Sequence, residues 1–529
     1  MPHCHRSEGA VAPPEAGTGP RTLPGVTEFA AAIREAYATA GAAIDLGRGV
    51  HAGATADDAV VRLPLATMNR HGLIAGATGT GKTKTLQVIA EQLSAHGVPV
   101  FVADVKGDVS GLAEPAETGG PAEARMCELG LPFAPAGFPV EFFSLGGIGP
   151  GVPIRATVSD FGQQLLAKVL GANETQESSL GLVFHYADAK GLPLLDLADL
   201  RELLTFLASK HGKAELEGIG GLSKATVGVL LRALVGLENG GGTEFFGEPQ
   251  LEIADLMRVA PDGRGIVACL ELPAVQDRPA LFSTVLMWLV AELFEQLPEA
   301  GDLDAPKLVF FLDEAHLLFS DATDAFVESV TRTVRLIRSK GVGVFFVTQA
   351  PTDLPESVLG QLGSRVQHAL RAFTPKDAKD LKAVVSTYPT STFYDVGELL
   401  TSMGIGEAAV TLLSEKGVPT PVVHTRMLAP ASRMAPAADV EAAAKASPLW
   451  ASYGERVEAQ SARELLAGRM AEAAPAPAGE APAPAPRRER LPAPAGTADT
   501  LGDFLTSRQG KALQRQVLRG VFGMLRKRL

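Results

Sequence analysis

Apolar residues follow two rhythms along this chain. Short unbroken runs rich in Val, Ile, Leu and Phe appear at "HGLIAG" (71–76), "PVFVADV" (99–105), "GIVACLEL" (265–272), "KLVFFLD" (307–313) and "VGVFFVTQ" (342–349), each beside a segment with helical spacing. An unbroken run is the pattern of a strand buried on both faces, and strands alternating with helices predict a parallel sheet covered by helices. "SRVQHAL" (364–370) is expected to join that sheet. A helix around 26–40 and two strand-like pieces, "AIDLGRGV" and "AVVRLPLA", precede it.

Between about 155 and 258 the strand signal disappears. "DFGQQLLAKVLG", "DLADLRELLTFLA" and "KATVGVLLRALVGLE" have the helical period, so an all-α subdomain is expected here, inserted into the sheet's connectivity. After 374 a helix-rich stretch ends in a hairpin-like pair, "EAAVTLLSEKG" and "PTPVVHTRM". This organisation divides the chain into a disordered tail (1–24), the first part of an α/β core (25–154), the inserted helices (155–258), the second part of the core (259–430) and a helical extension (431–470). A Pro/Ala-rich linker (471–498) then leads to a basic amphipathic helix (499–529). In that last helix Leu513, Val517, Leu518, Val521, Phe522 and Leu525 share a face, with Arg515, Arg519, Arg526, Lys527 and Arg528 beside it. Such a face docks on its own chain, a neighbouring subunit or a protein partner, or touches anionic lipid or nucleic acid. Docking is the reading its apolar face favours.

Composition narrows the classes. A chain of 529 residues with 46% hydrophobic and 20% charged residues builds a large core with subdomains, and is neither disordered nor fibrous as a whole. Cys4, Cys127 and Cys269 are far apart and outside any metal-ligand spacing, which points to a reducing compartment without disulfides or zinc. No apolar leader begins the chain, and the longest apolar run, 280–294, already contains Glu292, so a cytoplasmic protein with no membrane span is expected. The net charge of −12 argues against a broad nucleic-acid surface; any DNA contact must be local, in a channel or a loop.

The chemistry concentrates at "LIAGATGTGKTKT". Gly76, Gly81, Lys82 and Thr83 satisfy the GxxxxGK(S/T) spacing between an apolar strand and an amphipathic helix. Gly76, Ala77, Thr78, Gly79, Thr80, Gly81, Lys82, Thr83 and Lys84 would then wrap a nucleotide's phosphates with backbone amides at the positive end of the helix. Lys82 would reach the β and γ phosphates and Thr83 would place its hydroxyl on Mg²⁺. The bland competitor is a Gly-rich turn with a surface lysine, which the strand and helix on either side disfavour.

A second element lies at "KLVFFLDEAH". Asp313 and Glu314 end a buried strand, where open α/β sheets keep their ligands. Asp313 suits the Mg²⁺-ligand role and Glu314 suits polarising a water; the alternative is a cap on the following helix. Thr348 and Gln349 end the next strand, either to sense the terminal phosphate or as an ordinary turn before Pro351. Arg332, Arg335, Arg338 and Lys340 form a basic face in "TRTVRLIRSKG". That face either reaches a neighbour's nucleotide as an arginine finger or stays solvated.

Together with "NRHGLIAGATGTGKT", "PVFVADVKGD", "ETQESSLGLVF", "KLVFFLDEAHLLF", "VRLIRSKGVGVFFVTQAP", "QLGSRVQHALRAFTPKD" and "GEAAVTLLSEKG", these residues resemble the HerA-like branch of the HerA/FtsK hexameric ATPases from about 60 to 428. The resemblance implies a RecA-like P-loop NTPase core that assembles as a ring, with ATP and Mg²⁺ between subunits and DNA in the pore. It assigns Lys82 and Thr83 to nucleotide and Mg²⁺, Asp313 and Glu314 to hydrolysis, Gln349 to sensing, and Arg338, then Arg335, to action in trans. The chain is expected to lack the full N-terminal barrel of HerA and the winged helix of FtsK. A hexameric DNA translocase or helicase is therefore the first expectation. A ring ATPase that remodels or switches protein partners is the second, and a P-loop kinase or transferase the third.

Overall fold

A computed structural model describes residues 24–473 apart from 217 and 320–323; the segment expected to be an amphipathic helix (499–529), the expected linker (471–498) beyond residue 473 and the expected tail (1–24) up to residue 23 lie outside the described residues, while 24 and 471–473 are helical. Twelve strands form one sheet: β1 (Ala43–His51), β2 (Ala54–Pro64), β3 (Gly72–Ala75), β4 (Val100–Asp104), β5 (Val140–Leu145), β6 (Val152–Ile154), β7 (Val267–Glu271), β8 (Leu308–Leu312), β9 (Val342–Thr348), β10 (Ser364–His368), β11 (Glu407–Thr411) and β12 (Val423–Met427). Their spatial order is β2-β1-β12-β11-β10-β3-β9-β8-β4-β7-β5-β6. From β10 to β6 every pair is parallel, and the edge from β10 to β2 is antiparallel. All the strands expected from unbroken apolar runs are present and adjacent. The hairpin pair β11 and β12 is not a separate unit; it extends the main sheet and carries β1 and β2.

The alternation of side chains explains why these strands read as continuous. Phe101, Ala103, Phe310, Leu312, Val344 and Phe346 enter the apolar core on one face, with residues of the 155–258 helices. Val100, Val102, Val309, Phe311, Phe345 and Val347 enter the core on the other face, with Leu86, Ile89, Ala90 and Leu93 of the helix Lys82–Ala95. A period-2 strand buried on both sides has no polar face to display. Strands β5 and β6 escaped the sequence reading because "VEFFSL" and "VPI" are short and flanked by Gly- and Pro-rich connections.

Residues 158–237 supply helices, the longer ones at Glu174–Lys190, Leu197–Ala208 and Lys224–Leu237. Asn173 and Asp196 start the first two with reciprocal capping boxes. After β12 the chain crosses the Lys82–Ala95 helix, where the buried Glu91 carboxylate accepts the N–H groups of Ala431 and Ser432, each at 2.9 Å. Among the described residues no helix is long and apolar enough to cross a membrane.

Candidate nucleotide site

The turn 76–81 leaves β3, which lies between the parallel strands β10 and β9. Gly76 has φ 154° and Gly81 φ 117°, left-handed values that favour glycine. A Cβ on Gly76 would also lie 2.5 Å from Cβ of His368. His368 is buried beneath the turn, bonded to Thr85 Oγ1 at 2.9 Å and to the Glu407 carbonyl at 2.8 Å. Burial lowers its pKa to about 4, so it is neutral near pH 7. The N–H of Gly76 donates to the carbonyls of Thr348 and Gln349, and Gly406 N–H donates to Thr80 O at 2.9 Å, so β9 and the loop before β11 hold the turn from both sides.

The Lys82 ammonium lies against this backbone, donating to Gly76 O at 2.7 Å and Ala77 O at 3.3 Å. Its pKa is lowered, chiefly by burial. Thr83 is half-buried, and Thr78 and Gly79 are exposed at the open side. Thr80 turns its hydroxyl to Ala77 O at 2.6 Å. Lys84 does not aim at the turn: its ammonium donates to Met434 O at 2.6 Å and Gln87 Oε1 at 2.8 Å, which leaves only its backbone for a phosphate.

Three carboxylates line up across neighbouring strand ends. Asp104 ends β4, Glu271 ends β7 as its register partner, and Asp313 follows Leu312, the partner of Ala103. Asp313 and Glu314 are 3% and 4% exposed. Burial, then the Glu314 charge, raises Asp313 to about 7; burial, then the Asp104 charge, raises Glu271 to about 8. Asp104, with its pKa pushed up to about 6 mainly by burial, accepts backbone N–H bonds from Lys106, Gly107 and Val109. Asp313 Oδ2 is buried without a hydrogen-bond partner among the described residues. Oxygens of Asp104, Asp108 and Asp313 lie within 4.8 Å of one another, a set of hard donors that fits a divalent cation.

Glu314 has φ 46° and ψ 46°, a left-handed conformation costing about 1–2 kcal/mol for a residue with a Cβ. Strained backbone of this kind concentrates at functional sites. Its Oε1 pairs with the Lys106 ammonium and its Oε2 lies 3.2 Å from His316 Nδ1.

The remaining expected residues fall elsewhere. Gln349 is exposed and lines, with Ala77, Arg371 and Lys376, a cavity of about 300 Å³. Thr348 is fully buried and donates to Asp353 Oδ2 at 2.8 Å, which ties it to the turn after β9. Arg332 pairs with Glu328 and Lys340 with Glu299, while Arg335 and Arg338 are exposed and pair with no carboxylate among the described residues. Both precede β9, at the opposite end of the parallel sheet from Lys82.

Asp104, Lys106, Asp108, Glu271 and His368 had no role in the reading of single residues. The signal for Asp104 and Glu271 was present: each is a carboxylate closing an unbroken apolar run, as Asp313 is.

The solved structure of the plasmid coupling protein TrwB with the non-hydrolysable GTP analogue GDPNP shares this fold. It is 16% identical, covers 77% of this chain and 94% of that one, and has a TM-score of 0.50. An unbound form of the bacterial conjugative coupling protein TrwB gives 16% identity, 78% and 94% coverage and a TM-score of 0.49. VirB4 of Thermoanaerobacter pseudethanolicus gives 16%, 74% and 97%, and 0.45. No curated protein matches. The profile of the helicase HerA-like C-terminal family matches residues 50–528, nearly the whole chain, and the chain belongs to that family.

Proposed function

We propose that the chain is an ATP-hydrolysing motor that works as a ring, most simply a hexamer, and translocates DNA. The observation that supports it is that the Lys82 turn after β3 and the buried pair Asp313 and Glu314 after β8 lie at the same end of the parallel strands, with only β9 between them. In this reading the backbone amides of the turn beyond Ala77, up to Thr83, and the Lys82 ammonium hold the phosphates of ATP. Thr83 and Asp313 hold Mg²⁺, which when bound neutralises phosphate charge. Glu314 orients a water toward the terminal phosphorus and accepts its proton, and Gln349 at the mouth contacts that phosphate or water.

The position of the arginines supports a shared site. The seven residues of β9 rise about 20 Å from the Arg338 end to the Lys82 end, beyond the reach of an arginine side chain. This separation from its own chain's turn supports reading Arg338, with Arg335 as second choice, as the residue that serves a neighbouring subunit. The test is the ATPase rate with and without single- and double-stranded DNA, together with mass in solution. Stimulation by DNA in a ring-sized particle is expected; a ring whose hydrolysis ignores DNA at several salt concentrations would refute translocation.

The net charge of −12 favours a second reading, a ring ATPase that remodels or switches protein partners. Capture of a defined protein in the ATP state alone, with no DNA cross-link, would support it.

A further inference from the structure

Lys106 is the cation of this site that the phosphate-binding turn does not explain. It sits on the turn after β4, which Asp104 closes by accepting the N–H groups of Lys106, Gly107 and Val109 at 3.2, 2.7 and 2.8 Å. Its ammonium pairs with Glu314, from the end of the neighbouring strand β8. The two partners differ in freedom: the Lys106 side chain is 44% exposed and that of Glu314 5%. Lys82 is held by two carbonyls, and the charges of both Lys106 and Glu314 bear on it, so all three groups share one electrostatic site.

We propose that Lys106 is a sensor of the terminal phosphate: it masks Glu314 in the nucleotide-free chain and transfers to that phosphate when a nucleoside triphosphate enters. The inference rests on the reading of 76–83 as the phosphate turn and Glu314 as the water-activating group. A carboxylate offers Lys106 one negative charge, whereas the terminal phosphate of a triphosphate offers up to two and more acceptor oxygens. A lysine is a point charge with three donors on a flexible stem, so it exchanges such partners by rotation alone. A diphosphate lacks the competing group, and Lys106 then stays on Glu314. Water activation is thereby tied to the presence of the bond to be cleaved.

The test is calorimetric binding of ADP and of a non-hydrolysable ATP analogue, both with Mg²⁺, to the full chain and to Lys106→Gln, Lys106→Arg, Glu314→Gln and the Lys106→Gln/Glu314→Gln double variant. Lys106→Gln is expected to weaken the analogue at least tenfold and to change ADP less than twofold; Lys106→Arg keeps part of the preference. Glu314→Gln is expected to tighten the analogue severalfold, because Lys106 no longer has a partner to leave, and this gain is lost in the double variant. Equal weakening of both nucleotides by Lys106→Gln, or no change in either, would overturn the sensor while leaving the site itself intact. A wild-type chain that binds neither nucleotide overturns the site as well. Hydrolysis by Glu314→Gln at the wild-type rate removes the role of that residue, whatever the binding ratio.

Discussion

Glu271 provides a direct measure of what the row of carboxylates costs. It is 4% exposed, its carboxylate accepts a hydrogen bond from Cys269 Sγ at 3.4 Å, and Asp104 faces it across the β4–β7 register. Burial and the Asp104 charge move its pKa from 4.5 to about 8. Because the folded value is the raised one, the native state binds the proton more tightly than the unfolded chain. The resulting stability is fully present below pH 4.5 and is lost as pH rises through about 8. At about 1.36 kcal/mol per pH unit, ionisable Glu271 lowers stability by about 3 kcal/mol at pH 7 relative to acid, and by about 5 kcal/mol above pH 8. Glu271→Gln preserves volume and an acceptor oxygen and never ionises. In EDTA, urea unfolding followed by circular dichroism should give matching midpoints for the two proteins near pH 4.5 and a more stable variant at pH 8. The wild-type curve should fall more steeply between them. Parallel curves, or a variant less stable at pH 8, would refute the argument that this carboxylate is held against its charge.

Three further outcomes follow from the site and its supports. Gly76→Ala places a Cβ 2.5 Å from His368 Cβ on a backbone with φ 154°. Overpacking of about 1–3 kcal/mol should weaken ATP binding by roughly five- to 150-fold with helical content intact, as calorimetry and circular dichroism would show. Glu91→Ala strands the N–H groups of Ala431 and Ser432 and should lower the stability of the folded chain by about 2–5 kcal/mol in urea titration. Arg338→Ala should keep ATP affinity and lose hydrolysis by about 10³-fold. Mixing it with Lys82→Ala chains should restore part of the rate, since each supplies what the other lacks, whereas no recovery in mixed rings would place the arginine outside the neighbour's site.

Much of this architecture was legible because parallel strands have no solvent face. Apolar runs at 99–105, 307–313 and 342–349 each produced a strand, and the turn after 71–76 produced the Lys82 bend at the end of β3. What stayed hidden depends on spatial order. Lys106 and Glu314 are 208 residues apart in sequence, and no local spacing relates them. They meet because β4 lies beside β8 with Ala103 opposite Leu312, which brings the residues just past both strand ends to one level. The same rule joins Asp104 to Glu271 and sets His368, at the end of β10, beneath Gly76, at the end of β3. Lys84 shows the converse: motif spacing put it with the phosphates, but the chain that returns over the helix at 431–434 offers its ammonium a carbonyl on the other side. Once strand order is known, however, Asp104 and Glu271 need no further information, because each is the first charged residue to follow an apolar run into the mouth of the sheet. A chain that gathers the carboxylates of Asp104, Glu271 and Asp313 there, each raised by burial, sets acceptor oxygens beside Glu314 that an entering cation would hold in their charged form. Lys82 and Lys106 are the cations its own sequence supplies.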